Sequence, residues 1–371
     1  MFDQTRAAAL LQEGGPWTFA YVDGPGEEPQ VVEEAREESV RRRLEDSGAP
    51  TTDVDVIAAA LRERSGVPAP STRYLLARGG RLEIDETMPG ARLGPERTGH
   101  DAVPSLLPLL RHQDDGLHYV VVETGREGAE VRWERAGRAP EVARDIEGRT
   151  DALPKVQAGG LSQPRYQRTS EEIWKLNQRE IADAVTELVR EREPAFVVVA
   201  GDVRARQLLL DELTDLPHQS IVEVDAHTRA DGAEDDTLES AIDEELESQR
   251  DAAIAEASDR ADAGHGRRGA HGVREVVEAL QQAQVETLLM DARLLDSDER
   301  LAALDAAPWV GFADDLEVGI AARVQVAEAL ARAAVLTGAR VLIAEDDPAE
   351  EDAPREHRAP RPPLAVLRWP H

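Results

Sequence analysis

The chain contains no cysteine, which excludes disulfides, thiolate metal sites and a cysteine nucleophile together, while leaving the compartment open. Lysine is almost as scarce. Lys155 and Lys175 are the only two, and arginine supplies the rest of the 43 basic side chains. No uninterrupted run of about 18 apolar residues occurs, so no transmembrane helix is expected, and no basic segment followed by an apolar run marks a signal peptide. A soluble, cytoplasmic protein is the expectation.

What the chain has in excess is acid: 74 Asp and Glu against 43 Lys and Arg, for a net charge of −31. Such a surface repels itself in dilute buffer, whereas at about 1 M salt the Debye length falls to roughly 3 Å and the repulsion is screened. The balance points to a salt-accumulating, high-GC host, with an acidic protein of an ordinary arginine-rich bacterium as the alternative. The same charge opposes nonspecific nucleic-acid binding, so any RNA contact has to be local. At 371 residues the chain exceeds the roughly 250 residues at which single cores stop growing. Three domains are expected, over residues 1–114, 115–226 and 227–371.

The first of these reads as α+β. After a helical start, Trp17–Asp23 is strand-like, a charged helix spans about Pro29–Asp46, and an apolar-periodic helix is centred on Val54, Ile57 and Leu61. Beyond a Pro-rich hinge at Val67–Pro70, Arg73–Ala77 and Arg81–Asp85 flank Gly79-Gly80 as a hairpin. A second hairpin, Tyr119–Glu123 with Ala129–Glu134, opens the middle domain. A long loop then ends at a capping box, Thr169 with Glu172, starting a helix that carries Trp174, Ile181, Val185 and Leu188 on one face. Pro194 stops it, and Phe196–Gly201 and Ile221–Asp225 read as buried strands of parallel-sheet type. The last domain is predicted to hold an acidic helix over Asp235–Ala263, a basic loop, a helix Val273–Gln284 and a strand Val285–Met290. An acidic linker, a helix Glu317–Thr337, a strand Arg340–Ala344, a mobile acidic and Pro-rich loop over 345–363, and a strand Leu364–Trp369 complete it. The fold class is α/β, without internal repeats.

Chemistry concentrates in the middle loop, Gly159-Gly160-Leu161-Ser162-Gln163-Pro164-Arg165-Tyr166-Gln167-Arg168. No acid occurs from Ala152 to Ser170, and Lys155, Arg165 and Arg168 bring charge suited to phosphates; an equally acid-free stretch, Arg64–Leu82, shows that this alone is not diagnostic. The glycines allow close backbone approach. The Gln163 amide offers both a donor and an acceptor, equipment for holding a water against an ester carbonyl. The plainer reading is an exposed Gly-Gly turn, with Arg165 and Arg168 paired to Glu171 or Glu172 and Tyr166 packed in the loop rather than stacked on a base. Arg267 and Arg268, between His265 and His271, form a second basic candidate. The two histidines lack a third metal ligand, and Gly264–Gly269 follows a helix and lacks the Walker lysine, which argues against nucleotide binding there. Asp235-Asp236 and Glu345-Asp346-Asp347 read as solvated charge.

Gly272-Val273-Arg274-Glu275-Val276-Val277-Glu278-Ala279-Leu280, continuing through Gln284-Val285-Glu286-Thr287-Leu288-Leu289, resembles the C-terminal-domain signature of archaeal and eukaryotic class I release factors and Pelota. The order hairpin, Gly-rich loop ending in Gln, long helix and strand Val197–Gly201 is similar to that family's middle domain. Together these cover about residues 116–345. Within the family, the chain most resembles the bacterial and archaeal release-factor-like group that includes Balon-type hibernation factors, and the Ser-Gln-type peptidyl-tRNA hydrolases of ribosome quality control. The resemblance implies a three-domain architecture whose C-terminal domain is like the kink-turn-binding ribosomal proteins.

It implies Gln163 as the catalytic residue and Gly159, Gly160 and Ser162 as the loop backbone, while charge and residue type make Lys155, Arg165, Tyr166, Arg168, Arg267 and Arg268 the candidate RNA contacts. The implied partners are the ribosome, at the peptidyl-transferase region and the tRNA acceptor end, and a translational GTPase; the chain is expected to be a monomer with no metal, cofactor or membrane. The family's loop ends in Gly-Gly-Gln, whereas Leu161 and Ser162 intervene here, and Ser162 reaches φ > 0 only with strain. The N-terminal domain has neither an Asn-Ile-Lys-Ser motif nor a cysteine-containing codon motif, so stop-codon reading is not expected. Three roles stay open: peptidyl-tRNA hydrolysis on stalled ribosomes, non-catalytic occupation of the same site in hibernation, and a stress protein of this fold without ribosome binding.

Overall fold

The structure, a computed structural model, describes residues 4–24, 30–63, 67, 69–112, 117–125, 127–136, 141–148, 163–214, 216, 221–225, 235–263, 267–312, 318–345 and 361–369. It divides into two compact units, Met1–Asp114 with Asp251–His371, and Asp115–Arg250.

The first unit begins with α1 (Gln4–Gln12), β1 (Trp17–Asp23), α2 (Gln30–Asp46), α3 (Thr51–Arg62), β2 (Ser71–Arg78), β3 (Arg81–Pro89), β4 (Arg97–Asp101) and the short α4 (Leu107–Arg111). An antiparallel sheet of order β3-β2-β1-β4 organises them. Alternate residues of a strand face opposite sides. Ala20, Val22, Leu75 and Ala77 therefore meet Val40 and Leu44 of α2 and Val54 and Ile57 of α3, while Trp17, Phe19, Tyr21, Tyr74 and Leu76 form a second cluster with Leu109. The tight turn between β2 and β3 uses Gly79 and Gly80 at φ +60° and +74°, the left-handed pair that matches strand twist in a two-residue hairpin.

The second unit holds β5 (His118–Thr124), β6 (Gly128–Arg135), β7 (Val142–Glu147), α5 (Gln163–Arg192), β8 (Val197–Gly201), α6 (Val203–Glu212), β9 (Ile221–Glu223) and the start of α7 (Asp235–Asp262). Its sheet runs β7-β6-β5-β8-β9, parallel across β5, β8 and β9 and antiparallel toward β7. Val120, Val122, Val197 and Val199 lie under Ile181 and Val185 of α5 and Leu209 of α6. Val121, Phe196 and Val198 pack against Leu238 and Ile242 of α7 on the other face. Burial on both faces explains why these strands read as continuous valine runs.

The first unit resumes with the end of α7, then β10 (Gly269–His271), α8 (Gly272–Gln281), β11 (Val285–Asp291), β12 (Arg300–Leu304), β13 (Val310–Gly311), β14 (Ile320–Gln325), α9 (Val326–Thr337), β15 (Arg340–Ala344) and β16 (Leu364–Leu367). The main sheet has the order β10-β16-β11-β15, with β11 and β15 parallel and β16 antiparallel to β11 and β10. Ala7 and Leu11 of α1, with Leu106 and with Leu107 and Leu110 of α4, belong to the same core as α8, α9, β11 and β15. The buried α9 carboxylate of Glu328 accepts hydrogen bonds from the Leu106 N–H at 3.0 Å, the Leu107 N–H at 3.4 Å and the Ser105 hydroxyl.

Several expectations are corrected. The helix predicted over Glu317–Thr337 begins only at Val326, because Ile320–Gln325 pairs antiparallel with β12; Ala321 and Ala322 favour a helix locally, and cross-strand pairing overrides them. The acidic linker before it contains β12 and β13. The long middle loop contains β7, paired with β6, and the basic loop contains β10, paired with β16. Strand β4 and helix α6 had no counterpart in the sequence reading. Glu345 is not simply solvated, since it pairs with Arg111.

Candidate functional site in the middle unit

Lys155, Gly159, Gly160 and Ser162 lie outside the described residues. Gln163 is the first residue of α5, and Arg165, Tyr166 and Arg168 follow in its first two turns. The helix thus starts six residues before Thr169, and the expected Thr169–Glu172 capping box is not its beginning. The reason lies in Pro164, whose fixed φ and missing N–H suit the first turn of a helix. Arg165 and Arg168 are three apart on that helix, a spacing that places two residues on one side.

What holds α5 in place is a polar pair that the sequence reading missed. Gln178 is fully buried. Its amide oxygen accepts a hydrogen bond from the Thr124 hydroxyl at 2.8 Å, and its amide nitrogen donates to the Gly125 carbonyl at 3.0 Å, so both ends of one side chain bind the β5–β6 turn. Beside it Asn177 is also buried and lies so close to Gly148, after β7, that a Cβ there would sit 2.5 Å from the Asn177 amide nitrogen. No substitution with a side chain fits at Gly148 without displacing that contact. Asn177 and Gln178, followed by Ile181, Ala182 and Val185, seat α5 on the sheet. From Glu172 onward, Asn177 is the first buried residue on the helix, and Leu176 is exposed. The preceding turns, from Gln163 onward, extend about 20 Å at 1.5 Å per residue.

The electrostatics of α5 fit an anion at its start. There is no acid in its first turn, and its last turn carries Arg190 and Arg192, basic residues at the end where the macrodipole is negative. Arg192 also covers the ring of Trp133 at 5.3 Å, on which His118 stacks from 5.1 Å. Unpaired backbone N–H groups at a helix start attract phosphate and carboxylate oxygens.

Arg267 and Arg268 belong to the other unit, in an exposed turn between α7 and β10. The Arg268 carbonyl accepts from the Leu367 N–H at 2.9 Å, which ties this turn to β16. His265 lies outside the described residues. The His271 backbone N–H donates to Glu275 at 2.8 Å and its ring lies 3.7 Å from Asp262, and no group of three or more metal-ligating side chains occurs among the described residues. No described helix is long and apolar enough to cross a membrane.

Residues 118–267 match the family model described as bacterial archaeo-eukaryotic release factor family 2. The uncharacterized Mycobacterium tuberculosis protein Rv2629 is 27% identical over 286 residues, 76% of this chain and 76% of its own. Among solved structures, Pelota of Archaeoglobus fulgidus is similar with 19% identity over 81% of this chain and 80% of that one, at a TM-score of 0.40. Dom34 of S. cerevisiae, described as a translation termination-like factor in RNA quality control that interacts with Hbs1, has 10% identity over 81% of each chain and a TM-score of 0.40.

Proposed function

We propose, for a chain whose residues 118–267 match a bacterial archaeo-eukaryotic release factor family, a ribosome-directed role in translation: hydrolysis of peptidyl-tRNA on stalled ribosomes without stop-codon reading. The observation that carries this reading is the overlap between the family match and the candidate residues. The matched segment contains Lys155, Gly159, Gly160, Ser162, Gln163, Arg165, Tyr166, Arg168 and Arg267, and of the candidates only Arg268 falls outside it.

In the proposed reaction, water attacks the ester carbonyl carbon that joins the peptide to the terminal ribose. The bond from that carbon to the ribose oxygen breaks, the ribose oxygen takes a proton, and the peptide leaves with a free carboxyl group. Gln163 orients the water, with its amide oxygen accepting and its amide nitrogen donating. Loop backbone N–H groups face the oxyanion as it forms. Arg165, Arg168 and Lys155 neutralise phosphates near the tRNA acceptor end, and Tyr166 stacks on a base. Arg267 and Arg268 contact ribosomal RNA from the other unit, and a translational GTPase is the second proposed partner. The site of action is the cytoplasm, at high salt in keeping with the charge of −31.

A second reading has its own support. Leu161 and Ser162 separate Gly160 from Gln163, and Gln163 is the opening residue of a helix rather than part of a free loop. Both features favour a non-catalytic occupant of the peptidyl-transferase region, a hibernation factor. Peptide release from purified stalled ribosome–nascent-chain complexes separates the two. For the hydrolase, Gln163→Ala lowers release by about 10² to 10³-fold while ribosome affinity holds, and Arg165→Ala with Arg168→Ala weakens binding and flattens its salt dependence. Binding without release, with a silent Gln163→Ala, eliminates the hydrolase and leaves the occupant.

A further inference from the structure

The first unit contains a cavity of about 380 Å³ to which three arginines, Arg97, Arg111 and Arg293, contribute. Its place in the fold is the kind of place where α/β sheets bind ligands. β11 and β15 are parallel neighbours. Ala292, Arg293 and Leu295, just beyond the end of β11, and Glu345, the residue after β15, all line the cavity. It therefore lies outside the carboxyl ends of the two parallel strands, the crevice that open α/β sheets use for ligands.

The opposite wall comes from the antiparallel sheet. Tyr21 on β1 and Arg97 on β4 are directly paired in register, so their side chains share one face, and both line the cavity. The Tyr21 hydroxyl accepts from the Leu93 N–H at 2.8 Å and lies within hydrogen-bond distance of His112 Nε2 at 3.1 Å. Leu93, Pro95, Leu107, Pro108 and Leu295 supply an apolar surface. Arg111 is committed to Glu345, with its Nε at 2.9 Å from the carboxylate, and to the Leu93 carbonyl. Arg293 has Asp291 at 3.3 Å. Arg97 is held more loosely: its Nη1 reaches the Ser105 hydroxyl at 3.5 Å and Glu328 at 3.6 Å. Its Nε and Nη2 make no hydrogen bond among the described residues.

We propose that this cavity binds a small phosphate ester of mononucleotide size, with its phosphate between Arg97 and Arg293 and its organic part against the Leu107, Pro108 and Leu295 wall. A guanidinium fork matches phosphate oxygens two at a time, and the volume lies within the roughly 300 to 1,000 Å³ of small-molecule sites. Each arginine has a carboxylate near it, Glu345 at Arg111, Glu328 at Arg97 and Asp291 at Arg293, so recognition of the phosphate rests on the guanidinium fork geometry rather than on a net positive field. All the lining residues belong to the first unit, and the test does not depend on the ribosomal reading.

The experiment is calorimetric titration of the full chain with AMP, and with inorganic phosphate, at one fixed ionic strength. AMP is expected to bind saturably and at least about tenfold more tightly than phosphate, with about tenfold worth 1.4 kcal/mol. Arg97→Met and Arg293→Met, checked for native circular dichroism, should each weaken AMP at least about tenfold. Two variants on opposite walls keep the test decisive if one fails to fold. No saturable AMP binding up to about 10 mM, a limit that corresponds to less than about 3 kcal/mol, overturns the proposal. So does binding that both variants leave unchanged. Equal affinity for AMP and phosphate rejects the ester and its apolar wall.

Discussion

Replacing Glu328 with alanine strips the joint between α9 and the Ser105–Leu107 segment of its acceptor. Three donors then lose their partner: the Leu106 N–H at 3.0 Å, the Leu107 N–H at 3.4 Å and the Ser105 hydroxyl. A buried donor left unsatisfied costs about 1 to 3 kcal/mol, and the long Leu107 contact counts for least, while alanine returns about 0.5 kcal/mol of helix propensity. The net loss is about 3 kcal/mol. At about 2 to 4 °C per kcal/mol for a unit of this size, Tm should fall by roughly 6 to 12 °C. Glu328→Gln keeps one acceptor and should lose about 1 kcal/mol. Its pH dependence carries a sign. Burial pushes the Glu328 carboxyl above its ordinary range, although hydrogen bonds from Ser105, Leu106 and Leu107 and the charge of Arg97 pull it down. The folded state then holds the proton to higher pH than the unfolded state. This contribution to stability is complete below the ordinary carboxylate pKa and is lost as pH rises through the folded-state value. The advantage of wild type over Glu328→Gln should therefore shrink with rising pH in differential scanning calorimetry. A Tm drop below about 2 °C for Glu328→Ala, or an advantage over Gln that grows with pH, refutes this account of the joint.

Gln178→Leu should destabilise the second unit by about 1 to 3 kcal/mol, since the Gly125 carbonyl and the Thr124 hydroxyl lose their partners in a buried site; chemical unfolding followed by circular dichroism checks it, and an unchanged midpoint contradicts it. The net charge of −31 predicts an unfolding midpoint that rises between dilute buffer and about 1 M potassium chloride, as self-repulsion is screened. A flat or falling midpoint removes the high-salt reading.

Much of the fold was legible because period and burial agreed. Trp17–Asp23, the two hairpins, the valine strands of the middle unit and Val285–Asp291 followed from alternation or continuous apolar runs. The segments that escaped were those whose local preference and tertiary partner disagree. Ile320–Gln325 contains two alanines and becomes a strand only because Leu301 to Leu304 offer an edge. Gly269–His271 is too short and glycine-rich to announce itself and pairs with β16 nearly a hundred residues later in the chain. The joining of residues 1–114 to the C-terminal sheet rests on Leu106, Leu107, Leu110 and Glu328, and no local pattern shows which leucines share a core. At the candidate site the residue types are readable, but Pro164 and Thr169 both carry helix-start signals, and the structure starts the helix at Gln163. Gln178 was invisible as an anchor, because one buried glutamine looks like any polar residue on a helix until its two partners are known.

The proposed action on ribosomes runs through the segment around Gln163. Cosedimentation with purified ribosomes tests it most directly, using the wild type and the Arg165→Ala, Arg168→Ala double variant at several salt concentrations. The account predicts wild-type protein in the ribosome pellet, with binding that weakens as salt rises, and a variant that binds less and with a shallower salt slope. Wild-type protein that stays in the supernatant at every salt concentration, or a variant that sediments exactly as well as wild type, contradicts it.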